Sequence, residues 1–354
     1  MKKWIVWLLV WAMGIGLTAC NDSSEPTTET TWETETVQTQ EPEKIIAVIG
    51  RGDDPAFWQI VKSGAEEAGE KAGYTVEFWS ADVENQENAR QQQKIMQQTL
   101  SDKNVKGVVL ATMSTGFREE LADAFNKGIP VVAFASGLSQ NGADITPGKD
   151  PTVCSVATDN QAAATKAAEN FYAWLKENAL VKRGYKIGVI QHDTTAEAEL
   201  RAQSFVQKIT ELAKQSGIKL ETEVQVAANR AGEYRNGLLK LQKWGAEAIF
   251  MTDQSVVEEV FSEISAMAED YKEILFCGFG AGAGQYTWMK DAGQSYAKLV
   301  GSVTQDPYAI GYQAVECMLA QLAGIEASDL GIAGVWYTAE TIDQLKEENV
   351  FYMN

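Results

Sequence analysis

An α/β architecture of two doubly wound parallel-sheet lobes, joined by several crossovers, is the fold class this sequence predicts. Three observations carry that expectation. Beyond Lys44, short β-rich apolar runs alternate with helix-length amphipathic segments, the pattern of parallel strands joined by right-handed crossovers. Runs such as GVVLAT (Gly107 to Thr112) are apolar almost throughout, which suits strands covered on both faces. Ten such runs in about 310 residues fit two sheets better than one.

Taken in order, the chain begins with a targeting segment at residues 1–20. Lys2 and Lys3 precede the apolar run WIVWLLVWAMGIGL, and LTAC (Leu17 to Cys20) places small residues before a cysteine. The run is short for a membrane span. LTAC at this position resembles the lipobox of bacterial lipoproteins. That resemblance implies a lipidated Cys20 as the mature N-terminus, and a chain held on the extracytoplasmic face of the cell membrane. Residues 21–43 carry seven acids and no base, so they read as a disordered acidic linker rich in Thr and Glu. A coil of that length spans about 25–30 Å on average.

The strand candidates that follow are IIAVIG, TVEFWS, GVVLAT, IPVVAFAS, VCSVAT, KIGVIQ, LETEVQVA, AIFMTD, ILFCGFG and KLVGSVTQ. The first helix runs from Phe57 to Ala72, with Trp58, Val61, Ala65, Ala68 and Ala72 on one face at spacings of three and four. The break between lobes is expected after the loop from Gly137 to Thr152, which is rich in Gly, Pro and Asp and without apolar period. Lobe one is expected to comprise residues 44–158 with 306–335. Lobe two takes 159–305 with 336–354, and crossovers fall near ATDN, TQDP and VWYT.

Composition narrows the function. The chain has 354 residues, with 30 basic against 49 acidic side chains and a formal charge of −19. Phosphate backbones repel such a surface, so nucleic acid is not an expected partner. With one histidine, His192, and no G-x-S-x-G elbow, neither a multi-histidine metal site nor a hydrolytic triad can be built convincingly. No enzymatic activity, metal or cofactor is expected. GFGAGA (Gly278 to Ala283) fits G-x-G-x-x-A after a strand, the one motif for a nucleotide-dependent enzyme. The acid that should read the ribose comes about 28 positions later rather than about 20. Cys154, Cys277 and Cys317 give no zinc spacing and no disulfide framework, so buried free thiols are the default.

Every polar cluster of interest follows a strand: RGDDP, ASG, QHDTTAEAELR, TDQS and GAGAG. In open parallel sheets ligands meet the loops at the carboxyl ends of strands. These segments resemble the ribose-binding-protein-like family, the type 1 periplasmic binding proteins that feed sugar ABC transporters. DPAFWQIVKSGAEEAGEKAGY resembles that family's first βα unit, and KGIPVVAFASG its GIPVV strand with the ligand-contacting tail. VATDN looks like the first interlobe crossover, and KLVGSVTQDPYAIGYQAV like the return crossover and the helix after it. AELRAQSF looks like the helix that carries a ligand-binding arginine.

The resemblance, which spans nearly all of Lys44 to Thr341, implies a set of ligand contacts. Asp54 is a hydrogen-bond acceptor in the first loop, and Phe57 and Trp58 are flat faces for stacking. Ser136 is a polar reader, Arg201 a fork onto ligand oxygens, Asp253 a reader of hydroxyls, and Gln305 a hinge residue within reach. Sugars suit such a set, having C–H faces for aromatic rings and hydroxyls for planar partners. Trp58 at helical spacing also fits a core position, and the same alternative is open for Phe57. Arg51 is either a contact for an acidic group or a solvated loop charge. The sequence departs from the family at Ala135 and Gly280, where sugar binders usually carry aspartates. That leaves room for a bulkier, modified or non-sugar ligand.

The resemblance thus implies a monomeric solute-binding lipoprotein that closes its lobes on a small molecule and delivers it to an ABC transporter permease. The alternative is a sensor that presents its closed form to a membrane histidine kinase or chemoreceptor.

Overall fold

The computed structural model describes residues 43–52, 55–82, 85–113, 116–135, 145–227, 232–266, 268–290 and 297–348. The leader with Cys20, the linker up to residue 42, Asp54, Ser136, the first half of the loop from residue 137 to 152, and the last six residues lie outside them.

The chain opens with β1 (Ile45–Ile49), α1 (Pro55–Lys71), β2 (Thr75–Trp79), α2 (Gln86–Ser101), β3 (Val105–Leu110), α3 (Arg118–Lys127), β4 (Val131–Ala135) and β5 (Thr152–Thr158). It continues through α4 (Asn160–Glu177), β6 (Lys186–Gln191), α5 (Ala196–Gln215), β7 (Glu221–Val226), α6 (Glu233–Trp244) and β8 (Ala248–Met251). Next come α7 (Gln254–Ala266), α8 (Ala268–Tyr271), β9 (Leu275–Phe279), α9 (Ala283–Lys290) and β10 (Lys298–Thr304). The chain then returns through α10 (Pro307–Leu322), β11 (Leu330–Ile332), β12 (Val335–Tyr337) and α11 (Ile342–Glu347).

Two sheets result, in the orders β11-β5-β4-β3-β1-β2 and β12-β10-β9-β8-β6-β7. Their pairings are parallel, apart from β12, which runs antiparallel to β10. All ten sequence-read runs form strands. The three-residue β11 and β12 carry too little apolar pattern to be read as strands.

The doubly wound character follows from side-chain alternation. Ile46 and Val48 of β1 join the core under α1 and α10, while Ile45 and Ile49 join the core under α2 and α3. In the second sheet, Ala248 and Phe250 of β8 face one core and Ile249 and Met251 the other. The strands with polar alternation, β2 and β7, are the sheet edges, and their side chains are correspondingly exposed.

Helix α1 buries Trp58, Val61, Ala65 and Ala68 as its spacing requires. Ala72, expected on the same face, lies just past the helix end and is exposed, because the helix stops at Lys71. This helix packs against α10 at very close range. A Cβ on Gly64 would stand 2.2 Å from the Tyr308 carbonyl oxygen, and one on Gly311 would stand 2.0 Å from that of Val61. The two glycines let the backbones touch, and this contact holds the returning α10 against the first sheet.

The chain passes between sheets at three places. Asp159 leads from β5 into α4 and Asp306 from β10 into α10; each caps its helix, accepting from Ala162 N or Ala309 N at 2.8 Å. The third passage joins β11 to β12. The passages are tied together. Thr158 Oγ1 donates to Gln305 Oε1 at 2.8 Å, and the Asp159 N–H donates to Ile332 O at 2.9 Å.

Candidate ligand-binding site

In both sheets the inner strand order is 2-1-3-4-5 when each is numbered from its own first strand. The chain therefore reverses direction between β1 and β3, and again between β6 and β8. Loops at the carboxyl ends of those strands flank the usual ligand crevice.

On the first sheet that crevice is braced by Gln92. Its side chain is fully buried, and its amide nitrogen donates to Gly50 O and Ala111 O, both at 2.7 Å. Its Oε1 accepts from Met113 N at 2.9 Å. One side chain thus fixes the loop after β1 to the loop after β3.

Trp58 braces the same loop from the other side. Its indole N–H donates to Gly52 O at 2.7 Å, and its ring lies so close to Gly50 that a Cβ there would meet Cε3 at 2.8 Å. The ring stands edge-on to Phe57 at 5.2 Å and to Phe134 at 5.7 Å. Trp58 is 3% exposed and Phe57 7%. Both are packed beneath the loop with narrow exposed edges. Arg51 beside them is half-buried and already engaged within the protein.

On the second sheet the centre is Arg201, near the start of α5 and 8% exposed. Its Nε donates to Asn160 Oδ1 at 2.7 Å, and its Nη1 donates to Thr252 O and Asp253 Oδ2, both at 3.1 Å. Its guanidinium lies 4.0 Å from the centre of the Phe279 ring, a cation–π contact that also keeps water away. Among the described residues, no hydrogen bond engages Nη2. Charge, direction and rotamer are all set in advance.

Asp253 is itself committed. Its Oδ1 accepts from Ser255 N at 3.1 Å and from Ser255 Oγ at 2.8 Å. Thr252 joins the two loops at this switch point, its Oγ1 accepting from His192 N at 3.0 Å. His192 stacks on Tyr234 with centres 5.9 Å apart and holds Asp193 Oδ2 at 3.1 Å from its Nδ1. Burial acts to raise the Asp193 carboxyl, but the Thr195 hydrogen bonds and the neighbouring His192 outweigh it, and the pKa is lowered. Burial pushes the Tyr234 phenol up to about 12, with Ser255 opposing and the charges of Asp253, Asp193 and Glu259 adding to the rise.

The two positions where aspartates were missing share a geometry. Ala135 ends β4 with φ +59°, and Gly280 follows β9 with φ +87°. A Cβ at Gly280 would come within 2.8 Å of Gln254 Cβ and 3.2 Å of that residue's backbone nitrogen. No aspartate fits there while α7 starts so close. The Gly280 carbonyl accepts instead from Tyr337 OH at 2.8 Å and Ser302 Oγ at 3.1 Å, fixing the loop to β12 and β10.

Of the residues singled out from the sequence, Arg201 and Asp253 stand in direct contact. Phe57, Trp58 and Arg51 gather at the first-sheet loop. Gln305 sits at the crossover, bonded to Thr158, while Asp54 and Ser136 lie outside the described residues. Sequence reasoning missed Asn160, Phe279, Gln92 and Tyr234. The first two had a signal, since they sit in the ATDN and GF segments; the others had none.

A family model described as the periplasmic binding protein domain matches residues 46–326. The chain belongs to that family. Its fold is the type 1 fold of two α/β lobes, and the family is extracytoplasmic. Among solved structures, an ABC transporter protein from Brachyspira murdochii, titled a LacI family transcriptional regulator, is 26% identical. It superposes with a TM-score of 0.75 over 88% of this chain and 99% of its own. An ABC transporter solute-binding protein from Agrobacterium vitis with bound D-fucose is 22% identical, with a TM-score of 0.64 over 87% of this chain and 100% of its own. An arabinose-binding protein from Geobacillus stearothermophilus is 16% identical, with a TM-score of 0.69 over 86% and 99%. No curated protein matches the sequence. Among the described residues, no cluster of His, Cys, Asp and Glu could hold a metal ion, and no helix is long and apolar enough to cross a membrane.

Proposed function

We propose that this protein is an extracytoplasmic solute-binding lipoprotein. It is anchored through Cys20, binds one small sugar or sugar-like molecule between its two lobes, and delivers it to an ABC transporter permease without chemical change. The observation that carries the reading is the pre-aimed guanidinium of Arg201, fixed by Asn160, Thr252 and Asp253 over Phe279 at the second switch point. A planar, oriented donor fork at a strand-end crevice suits vicinal hydroxyls or a ring oxygen. The reading is further supported by the family and by relatives whose titles name bound sugars.

In this proposal Arg201 is the main polar contact from lobe two, and Asp253 chiefly positions it. Asp54 and Ser136 read hydroxyls from lobe one, with Arg51 beside them. Phe57 presents the stacking edge, and Trp58 holds the loop that carries Asp54. Gln305, tied to Thr158, couples the two crossovers that flex on closure. Shifting such a hinge from 1:99 to 99:1 takes about 5.5 kcal/mol of discrimination between states. A few charge-assisted hydrogen bonds and one stacked ring supply that much.

The test is a thermal-shift screen of the purified protein against pentoses, hexoses, sugar alcohols, nucleosides and small acids. A ligand at 100 times its Kd stabilises the folded state by about 2.7 kcal/mol. The proposal expects a sugar or sugar alcohol to raise Tm most. A response confined to nucleosides or acids, or none to any sugar, contradicts it.

A further inference from the structure

Two cysteines far apart in the chain meet on the first sheet. Cys154, in β5, is buried, and Cys317, in α10, is half-buried. Helix α10 packs directly on β5, and both side chains contribute to the core beneath it. Each thiol bears on the ionisation of the other, as near neighbours do. Asp329, whose carboxylate accepts from Ser155 N at 2.8 Å, stands beside the pair. Cys277, by contrast, is enclosed in the core of the second sheet.

We propose that Cys154 and Cys317 form an oxidisable dithiol that closes to a disulfide in the extracytoplasmic space, stapling α10 to β5. Both cysteines belong to elements packed on the first sheet, so the bond crosses neither the ligand crevice nor a crossover. It closes a covalent ring that includes β6 to β10, five of the six strands of the second sheet. The device is therefore a clamp on the chain's return, compatible with movement of the lobes.

The chemistry divides between the two thiols. Neighbouring Cys154 favours the Cys317 thiolate and lowers its pKa, against the opposing effects of burial, Glu316 and Asp329. Cys317 in turn, together with burial, pushes the Cys154 thiol up. Cys317, partly exposed and the better thiolate, attacks an incoming disulfide oxidant and expels one thiol, forming a mixed disulfide. The Cys154 sulfur then gives up its proton, attacks Cys317 Sγ and releases the second thiol. Two protein thiols are oxidised, and one external disulfide is reduced to two thiols.

The test treats the full chain with oxidised glutathione or dithiothreitol, alkylates the remaining thiols, and maps peptides by mass. The expected result is a Cys154–Cys317 linked peptide, with a protein mass loss of about 2 Da before alkylation. The oxidised form should unfold about 5 °C above the reduced form. Cys317→Ser, at the half-buried partner, should abolish both the link and the shift in a folded protein. Full alkylation after oxidation, a stable glutathione adduct on Cys317 without the link, or a Tm rise that survives Cys317→Ser would each overturn the proposal. None of these readouts depends on ligand binding.

Discussion

Removing the Arg201 side chain separates ligand recognition from fold. In the free protein, Arg201→Ala deletes three hydrogen bonds and strands Thr252 O, Asn160 Oδ1 and Asp253 Oδ2 at a site 8% exposed. Some of these acceptors regain water through the space left behind. The expected cost is about 2 kcal/mol, or about 3 °C in Tm for a folded region of this size. In the complex, the lost contacts are charge-assisted hydrogen bonds of about 1.5–3 kcal/mol each. Two of them amount to about 3 kcal/mol or more, so the dissociation constant should rise about 100-fold. Arg201→Lys should also bind weakly, because a point charge cannot reach Asn160 and Asp253 together while facing a ligand. The assay is isothermal titration calorimetry with the sugar that raises Tm most, beside circular dichroism of the variant. A folded Arg201→Ala protein with the affinity of the wild type would refute the assignment.

Further predictions concern the scaffold around the site. Gly311→Ala places a methyl 2.0 Å from the Val61 carbonyl, so α1 and α10 must separate; about 2 kcal/mol of stability and about 3 °C in Tm should be lost in thermal unfolding. Gln92→Leu leaves Gly50 O, Ala111 O and Met113 N without their partner. It should cost about 3 kcal/mol in urea unfolding and weaken ligand affinity, because the loop after β1 is released. Asp193 has a lowered pKa, so its contribution to stability is present above the unfolded value of 3.8 and is lost as pH falls through the folded one. Asp193→Asn should therefore be less stable than wild type by about 1 kcal/mol at pH 7, with the gap closing in urea titrations as pH falls below 3.8.

Much of the fold was written in simple periodicities. All ten strand runs became strands; inner runs such as GVVL meet helices on both faces with apolar side chains, whereas TVEFW and ETEVQV alternate because they are edges. What stayed hidden depends on contacts between distant segments. LGI and VWY become strands only through pairing with β5 and β10. Gln92 sits in the run ARQQQKIMQQ, where no local signal tells which glutamine turns inward to hold two carbonyls. The aromatic pair after RGDDP was legible as a site-adjacent wall or as core. The Trp58 indole N–H on Gly52 O explains why both descriptions suit it: the ring is buried, and it fixes the loop that leads to Asp54. The absence of an aspartate at Gly280 was readable in the sequence, but its cause, the approach of α7 at Gln254, was not.

Closure on a ligand is the central claim, and small-angle X-ray scattering measures it most directly. The radius of gyration should fall when the sugar selected by thermal shift is added at saturation. Arg201→Ala should show no change at the same concentration. An unchanged wild-type profile under conditions where calorimetry shows the site filled would contradict the account.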